Sequence, residues 1–271
     1  MPRLPRLRPV TLAAVLALAL AAPAALSSAA EGPPAGGDVS EYSLLHMNVC
    51  LSGYAGCFAH TAYPAVVDEA IANIRAAQPD AVTLNEACSG DVERIARETG
   101  YDYRFATVIY RGGPLSCRNP VGRGVFGIAV LTKDAAIASE SAPYKAQLGV
   151  EERRWLCVET DGGTRVCTSH LSVSGSPAQA ATNEAQCHEL TAVLTADDGR
   201  ATLFGGDVNR QGSCAPAHAW TERDDEAAQA PGIQHVYGTR PGFVRPRDEI
   251  VPMTYSDHDA LLVRALRIGP S

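Results

Sequence analysis

Apolar positions along the chain repeat with two periods, and the switches between them outline its elements. YSLLHMNVC, from Tyr42 to Cys50, predicts a strand. Between Tyr63 and Ala77 the residues Val66, Val67, Ala70, Ile71 and Ile74 recur at helical spacing, and Pro79-Asp80 ends that helix. AVTLN predicts the next strand, Asp91 to Glu98 the next helix, and FGIAVLTK, RRWLCVE and TRVCTSHLS three further strands. A helix from about Pro177 to Ala196 opens with Ser176 as N-cap and Pro177 at its first position. RATLFGGDVN and ALLVRALRI supply the last clear strands. Strand-helix alternation followed by consecutive strands predicts a mixed sheet and an α/β or α+β class.

Polar residues able to hold a metal or a phosphate fall beside these runs: Asn48 in LLHMNVC, Glu86 in AVTLNEAC, His170 in VCTSHLS, Asp207 and Asn209 in TLFGGDVN, and Asp257 and His258 in YSDHDALLV. The first four clusters follow their runs, which places them at C-terminal strand ends, where α/β proteins gather chemistry. The fifth precedes ALLV and reaches the same rim if that strand runs antiparallel to the others. An acid at Glu86 needs positive compensation to be buried, and a hard divalent cation supplies it. In GGDVN the two glycines are expected to allow a tight turn while Asp207 and Asn209, two apart, project the same way; the aspartate can take a proton from water and the amide can hold that water or a phosphate oxygen. SDH sets a carboxylate beside an imidazole, one to orient a metal site and the other to move protons.

Composition changes this picture in three ways. Arg3, Arg6 and Arg8 precede an apolar stretch from Val10 to Ala25, and Ser28-Ala29-Ala30 offers a small-residue cleavage site, so residues 1–30 read as a secretory signal peptide and 31–40 as a flexible segment before one domain over 41–271. The stretch is short for a membrane span and no later one replaces it, so stable membrane insertion is not expected. Losing those three arginines takes the formal charge from -7 to about -10. Eight cysteines, an even number with no CxxC pair, favour disulfides in an exported chain. Cys157 and Cys167 flank a hairpin-like segment with a DGG turn, and Cys50 with Cys57 can close the loop after the first strand. Cys88, Cys117, Cys187 and Cys214 allow three pairings, of which Cys88–Cys117 with Cys187–Cys214 is adopted without a discriminating argument.

The ordered set N, E, SH, GDxN and SDH resembles the endonuclease/exonuclease/phosphatase superfamily from Tyr42 to the C-terminus, with GDxN and SDH its most specific pieces. The resemblance implies a four-layer sandwich of two mixed sheets with helices outside, and Mg²⁺-dependent (or Mn²⁺-dependent) attack of water on a phosphoester. It implies Glu86 as principal metal ligand helped by Asn48 and Asp257, Asp207 activating or positioning water, Asn209 on the phosphate, and His170 and His258 stabilising developing charge. Arg153, in EERRWL, matches a phosphate-contacting arginine, with Arg154 as the alternative one residue on. At GIQHVYGT many relatives carry an aspartate in place of Gln234, in a motif that orients His170; glutamine keeps the hydrogen bond and loses the charge.

The acidic charge counts against a processive polyanion binder. Two acid-free stretches, Arg104 to Lys133 and His235 to Arg247, carry Arg111, Arg118, Arg123, Arg240 and Arg245 besides their ends and suit capture of a phosphate. The expected function is a secreted, monomeric phosphodiesterase, first of all a nuclease. A phosphomonoesterase or phospholipase-type esterase, and a catalytically weak scaffold, stay open as alternatives. Only GFV, at Gly242 to Val244, offers an apolar hairpin tip for a membrane.

Overall fold

The computed structural model describes residues 39–196, 199–240 and 242–269; the expected leader and the segment up to Asp38 lie outside the described residues. The elements in chain order are β1 (Val39–Asn48), a 3-10 turn (Gly56–Ala59), α1 (Ala65–Ala77), β2 (Ala81–Cys88), α2 (Ser89–Thr99), β3 (Asp102–Thr107), β4 (Ile109–Tyr110), β5 (Gly113–Pro114), β6 (Phe126–Thr132) and β7 (Ala136–Pro143). They continue with β8 (Arg154–Thr160), β9 (Arg165–Ser169), α3 (Pro177–Thr195), β10 (Thr202–Asp207), β11 (Ala219–Arg223), β12 (Gln234–Thr239), β13 (Phe243–Val251) and β14 (Ala260–Ile268). Val39 and Ser40, expected to be flexible, already pair with Ile268 and Arg267, so the first strand starts earlier than its apolar run.

Two six-stranded sheets, ordered β13-β14-β1-β2-β6-β3 and β11-β12-β10-β9-β8-β7, lie face to face. Alternation decides which side of each strand goes where. On β1, Leu45 and Met47 join Val67, Ile71, Ile74, Val92 and Ile95 under α1 and α2, while Tyr42 and Leu44 face Leu156, Val166, Leu203, Trp220 and Val236 between the sheets. Trp155, Phe204 and Tyr237 turn outward against Leu190 and Leu194 of α3. Helices thus cover both outer faces, giving an α/β/β/α sandwich. Ser176 does cap α3, its hydroxyl accepting from the Gln179 amide.

The half-cystines pair as Cys50–Cys57, Cys88–Cys117, Cys157–Cys167 and Cys187–Cys214, and among the described residues none is free. Cys157 and Cys167 stand directly opposite each other on β8 and β9, as the DGG turn implies. The GFV tip is no membrane element: Phe243 is fully buried and packs edge-on against Tyr42. No helix among the described residues is long and apolar enough to cross a membrane.

Candidate active site

Direction of pairing brings the polar clusters to one rim. β1 and β2 are parallel, as are β9 and β10, so all four deliver their C-terminal ends, and β14, antiparallel to β1, delivers its N-terminal end. The two sheets are stitched there by side chains. Asn48 Nδ2 donates to Glu86 Oε1 and to Asp207 Oδ2, each at 3.1 Å. Asn85, absent from the sequence reading, accepts from the Asp207 amide at 2.8 Å and donates to Thr168 Oγ1 at 3.1 Å. Its only signal in the sequence is its place beside Glu86.

Local backbone geometry aims each group. β2 carries a bulge between Leu84 and Ala87, and Glu86 within it has φ +53°, a left-handed conformation that a glutamate adopts only under constraint. The glycines before Asp207 work differently from the tight turn expected. Neither has positive φ; a Cβ on Gly205 would meet Thr83 Oγ1 at 2.5 Å, and one on Gly206 would meet the Ser169 carbonyl at 2.3 Å. They let β10 run close to the facing sheet and to β9. Asn209 then turns left-handed at φ +51°, so the segment is not extended as expected, and its amide donates to Asp207 Oδ1 at 2.9 Å.

Asp207 Oδ2 faces two imidazoles, His170 Nε2 at 3.7 Å and His258 Nε2 at 3.8 Å. Asn209 Nδ2 donates to His170 Nε2 and to the Leu171 carbonyl, each at 3.0 Å, and His170 Nδ1 lies 3.9 Å from Glu86 Oε1. These groups floor a cleft of about 480 Å³ whose walls include Ser52, Tyr54, Tyr110, Phe126, Arg153 and Val173. Of the two candidate arginines, Arg153 lines the cleft, with Nη2 3.1 Å from Glu151 and Nη1 buried without a partner, while Arg154 is spent on Glu152 at 2.7 Å.

Desolvation sets the protonation pattern. Burial raises Glu86 to about 7, against the Asn48 hydrogen bond and Arg153, with Asp207 and Asp257 adding to the rise. Burial also raises Asp207, opposed by His258, the Asn209 amide, Asn48 and Arg153. His170 lies well below its ordinary value, through burial first and then the charges of Arg153, His258 and His46. Burial thus disfavours the charged forms of both carboxylates and of the imidazole alike. Glu86, Asp207 and Asp257, whose Oδ1 is buried without a partner, offer oxygen donors that suit a hard divalent cation. Asn48 Oδ1 accepts from the Cys50 amide at 3.2 Å, and its nitrogen faces the carboxylates and ties them together.

Two further expectations are corrected. Gln234 neither reaches the cleft nor orients His170. It is fully buried, donating through Nε2 to Asp224 Oδ2 at 3.0 Å and to the Asp259 carbonyl at 2.7 Å, with Asp224 Oδ1 on its amide, so it holds the start of β14 and not the substrate. The acid-free stretches do not form a cationic face either. Arg123 is buried on Asp91, Lys133 sits by Asp80 at the far end of β2, and Arg247 pairs with Glu41 at the far end of β1. Arg111 and Arg118 stay near the cleft, lying over the rings of Tyr110 and Tyr54.

The model of the Endonuclease/Exonuclease/phosphatase family matches residues 56–258. No curated protein matches the chain. Among solved structures, an endonuclease/exonuclease/phosphatase from Beutenbergia cavernae superposes with TM-score 0.64 at 21% identity, over 84% of this chain and 72% of that one. The human Nocturnin catalytic domain with bound sulfate gives 0.61 at 12% identity, over 86% and 97%. D. rerio TDP2 complexed with single strand DNA product gives 0.58 at 15%, over 83% and 99%. At these identities the likeness concerns the fold, while the match over most of the chain establishes the kinship: this protein belongs to the endonuclease/exonuclease/phosphatase family.

Proposed function

We propose that the protein is an exported, monomeric phosphodiesterase that uses Mg²⁺ or Mn²⁺ and acts on short or single-stranded nucleic acid. The observation that carries this reading is the convergence on Asp207: one carboxylate held by Asn48 and Asn209, with two imidazoles at 3.7 and 3.8 Å from the same oxygen. A base so placed takes the proton of an attacking water, and the flanking imidazoles donate to the non-bridging or leaving oxygen. The unpartnered Arg153 Nη1 supplies a donor for a phosphate oxygen. Glu86 and Asp257, with Asn48 beside them, would hold the cation, which when bound neutralises charge on the phosphoryl group.

Nucleic acid is favoured over an inositol phosphate by the rim. Tyr54, half exposed with Arg118 3.7 Å over one side of its ring, and Tyr110 with Arg111 at 5.6 Å pair aromatic rings with cations, a combination suited to bases and their backbone phosphates. Export is supported by the four disulfides, which suit an oxidising compartment.

A panel of single-stranded oligonucleotides, plasmid, RNA, a chromogenic bis-ester and inositol phosphates tests the reading. Turnover of a diester should appear with Mg²⁺ or Mn²⁺, vanish in excess chelator and return on re-addition; full activity in chelator, or turnover of monoesters alone, overturns it. The sparse cations make a second expectation. With Arg111, Arg118 and Arg153 as the cleft's cations, the slope of log affinity against log salt should be about -2, on the single-strand scale of roughly -0.7 per phosphate contact, and a slope steeper than about -5 would require a wider basic footprint.

A further inference from the structure

The disulfide after β1 touches the candidate metal carboxylate. Cys57 Sγ lies 3.8 Å from Glu86 Oε2, and one donor atom each from Cys50, Cys57 and Glu86 fall within 4.8 Å of one another. Among the described residues no other bridge meets a charged group of the site. The Cys57 side is also the accessible one: the remaining seven half-cystines are buried, whereas Cys57 is half-buried on a 3-10 turn that contains no buried residue. A reductant arriving from solvent therefore meets this bridge first.

The surroundings hold both sulfurs in place once the bond is gone. Cys50 is fixed by its amide on Asn48 Oδ1 at 3.2 Å, and the next amide, Leu51, donates to the Glu86 carbonyl at 2.8 Å. The segment leading into the turn that bears Cys57 is held by Arg118, whose Nε donates to the Gly53 carbonyl at 2.8 Å and whose guanidinium lies over the Tyr54 ring. Two thiols would then remain beside one carboxylate. Thiolate donors with one carboxylate select a borderline cation such as Zn²⁺, whereas oxygen donors alone suit Mg²⁺.

We propose that Cys50 and Cys57, when reduced, form with Glu86 a three-donor Zn²⁺ site that withdraws Glu86 from the hydrolytic cation and silences the cleft. This goes beyond the phosphodiesterase reading and needs only the placement of Glu86. The chemistry balances with a dithiol reductant. One thiolate attacks Cys57 Sγ and Cys50 leaves as thiolate; the second thiol displaces Cys57, and the dithiol becomes a cyclic disulfide. Binding of Zn²⁺ then releases the two thiol protons to solvent.

Co²⁺, a spectroscopic stand-in for Zn²⁺, tests the site without substrate. The full chain is treated with limiting dithiothreitol, desalted without oxygen and titrated with Co²⁺. One ion per chain should give thiolate-to-cobalt charge-transfer absorption in the near ultraviolet, absent before reduction and in the doubly substituted Cys50→Ser, Cys57→Ser protein. Zn²⁺ should displace it, binding at least ~100-fold tighter than to the oxidised chain. In parallel, peptide mapping of the reduced wild type should find Cys50 and Cys57 alkylated first and protected by Zn²⁺, a measurement that survives if the variant misfolds. Absence of the absorption, its persistence in the double variant, or alkylation indifferent to Zn²⁺ would each overturn the proposal. Hydrolysis by the oxidised protein is scored separately, so failure of the phosphodiesterase reading is told apart from failure of this one.

Discussion

Asp207→Asn should lower diester turnover by ~10²-fold or more while leaving the protein folded, on the scale of lost general-base assistance. The change keeps shape and removes the charge on which the site is organised. Oδ1 can still accept from the Asn209 amide, but the new amino group meets Asn48 Nδ2, a second donor, where the carboxylate oxygen had accepted at 3.1 Å. That local conflict costs about 1–3 kcal/mol, so a small loss of thermal stability should accompany the kinetic one. His170→Ala and His258→Ala should each lose ~10²-fold, because both rings face the same Asp207 oxygen. The losses should not multiply: a triple variant should be little worse than the worst single, since groups acting as one unit are removed only once. Single-turnover kinetics with the Mg²⁺-loaded proteins measures all four, and retention of near wild-type turnover by Asp207→Asn would remove the base from this position.

How much of this was legible in the sequence follows from which constraints are local. The clusters at Asn48, Glu86, His170, Asp207 and His258 could be read because each abuts an apolar run, and strand direction alone brings them to one rim. β3, β4, β5, β7, β11, β12 and β13 were not legible. β7 reads AIASESAP and is exposed along most of its length as a sheet edge, so no apolar face marks it. Side-chain partners were the other blind spot. Gln234 sits where charge was expected, and only its contact with Asp224, ten residues away and fully buried, shows that its role is structural. The glycines before Asp207 were rightly singled out for the wrong reason, since close approach of another strand is a tertiary fact that no local pattern carries.

The protein should lose stability steeply below neutral pH, through two histidines outside the proposed proton inventory. His46, on β1 between the sheets, is fully buried with Nδ1 on Thr83 Oγ1 at 3.0 Å, and burial, followed by the charge of His258, lowers it to about 3. His235, also fully buried, bonds the Tyr237 hydroxyl at 2.7 Å and the Gly232 carbonyl at 3.1 Å; burial, with Arg223 adding, lowers it to about 4. An imidazole whose folded value lies below its unfolded one contributes stability that is fully present above about 6.5 and is lost as pH falls toward the folded value, because the unfolded chain takes up protons that the folded one refuses. The slope climbs to about 1.4 kcal/mol per pH unit for each group only below the unfolded value of about 6.5, so the pair removes roughly 3 kcal/mol between pH 6.5 and 5, a large part of a typical domain's 5–15 kcal/mol. Glu86, raised to about 7, acts with the opposite sign over this window, since its folded form keeps a proton that the unfolded chain releases. The comparison that isolates the histidines is therefore between the wild type and a protein carrying both His46→Gln and His235→Gln, disulfides intact, by guanidinium unfolding at pH 6.5 and 5. The difference between the two pH dependences should be about 3 kcal/mol, and equal slopes in both proteins would move the acid sensitivity to other groups.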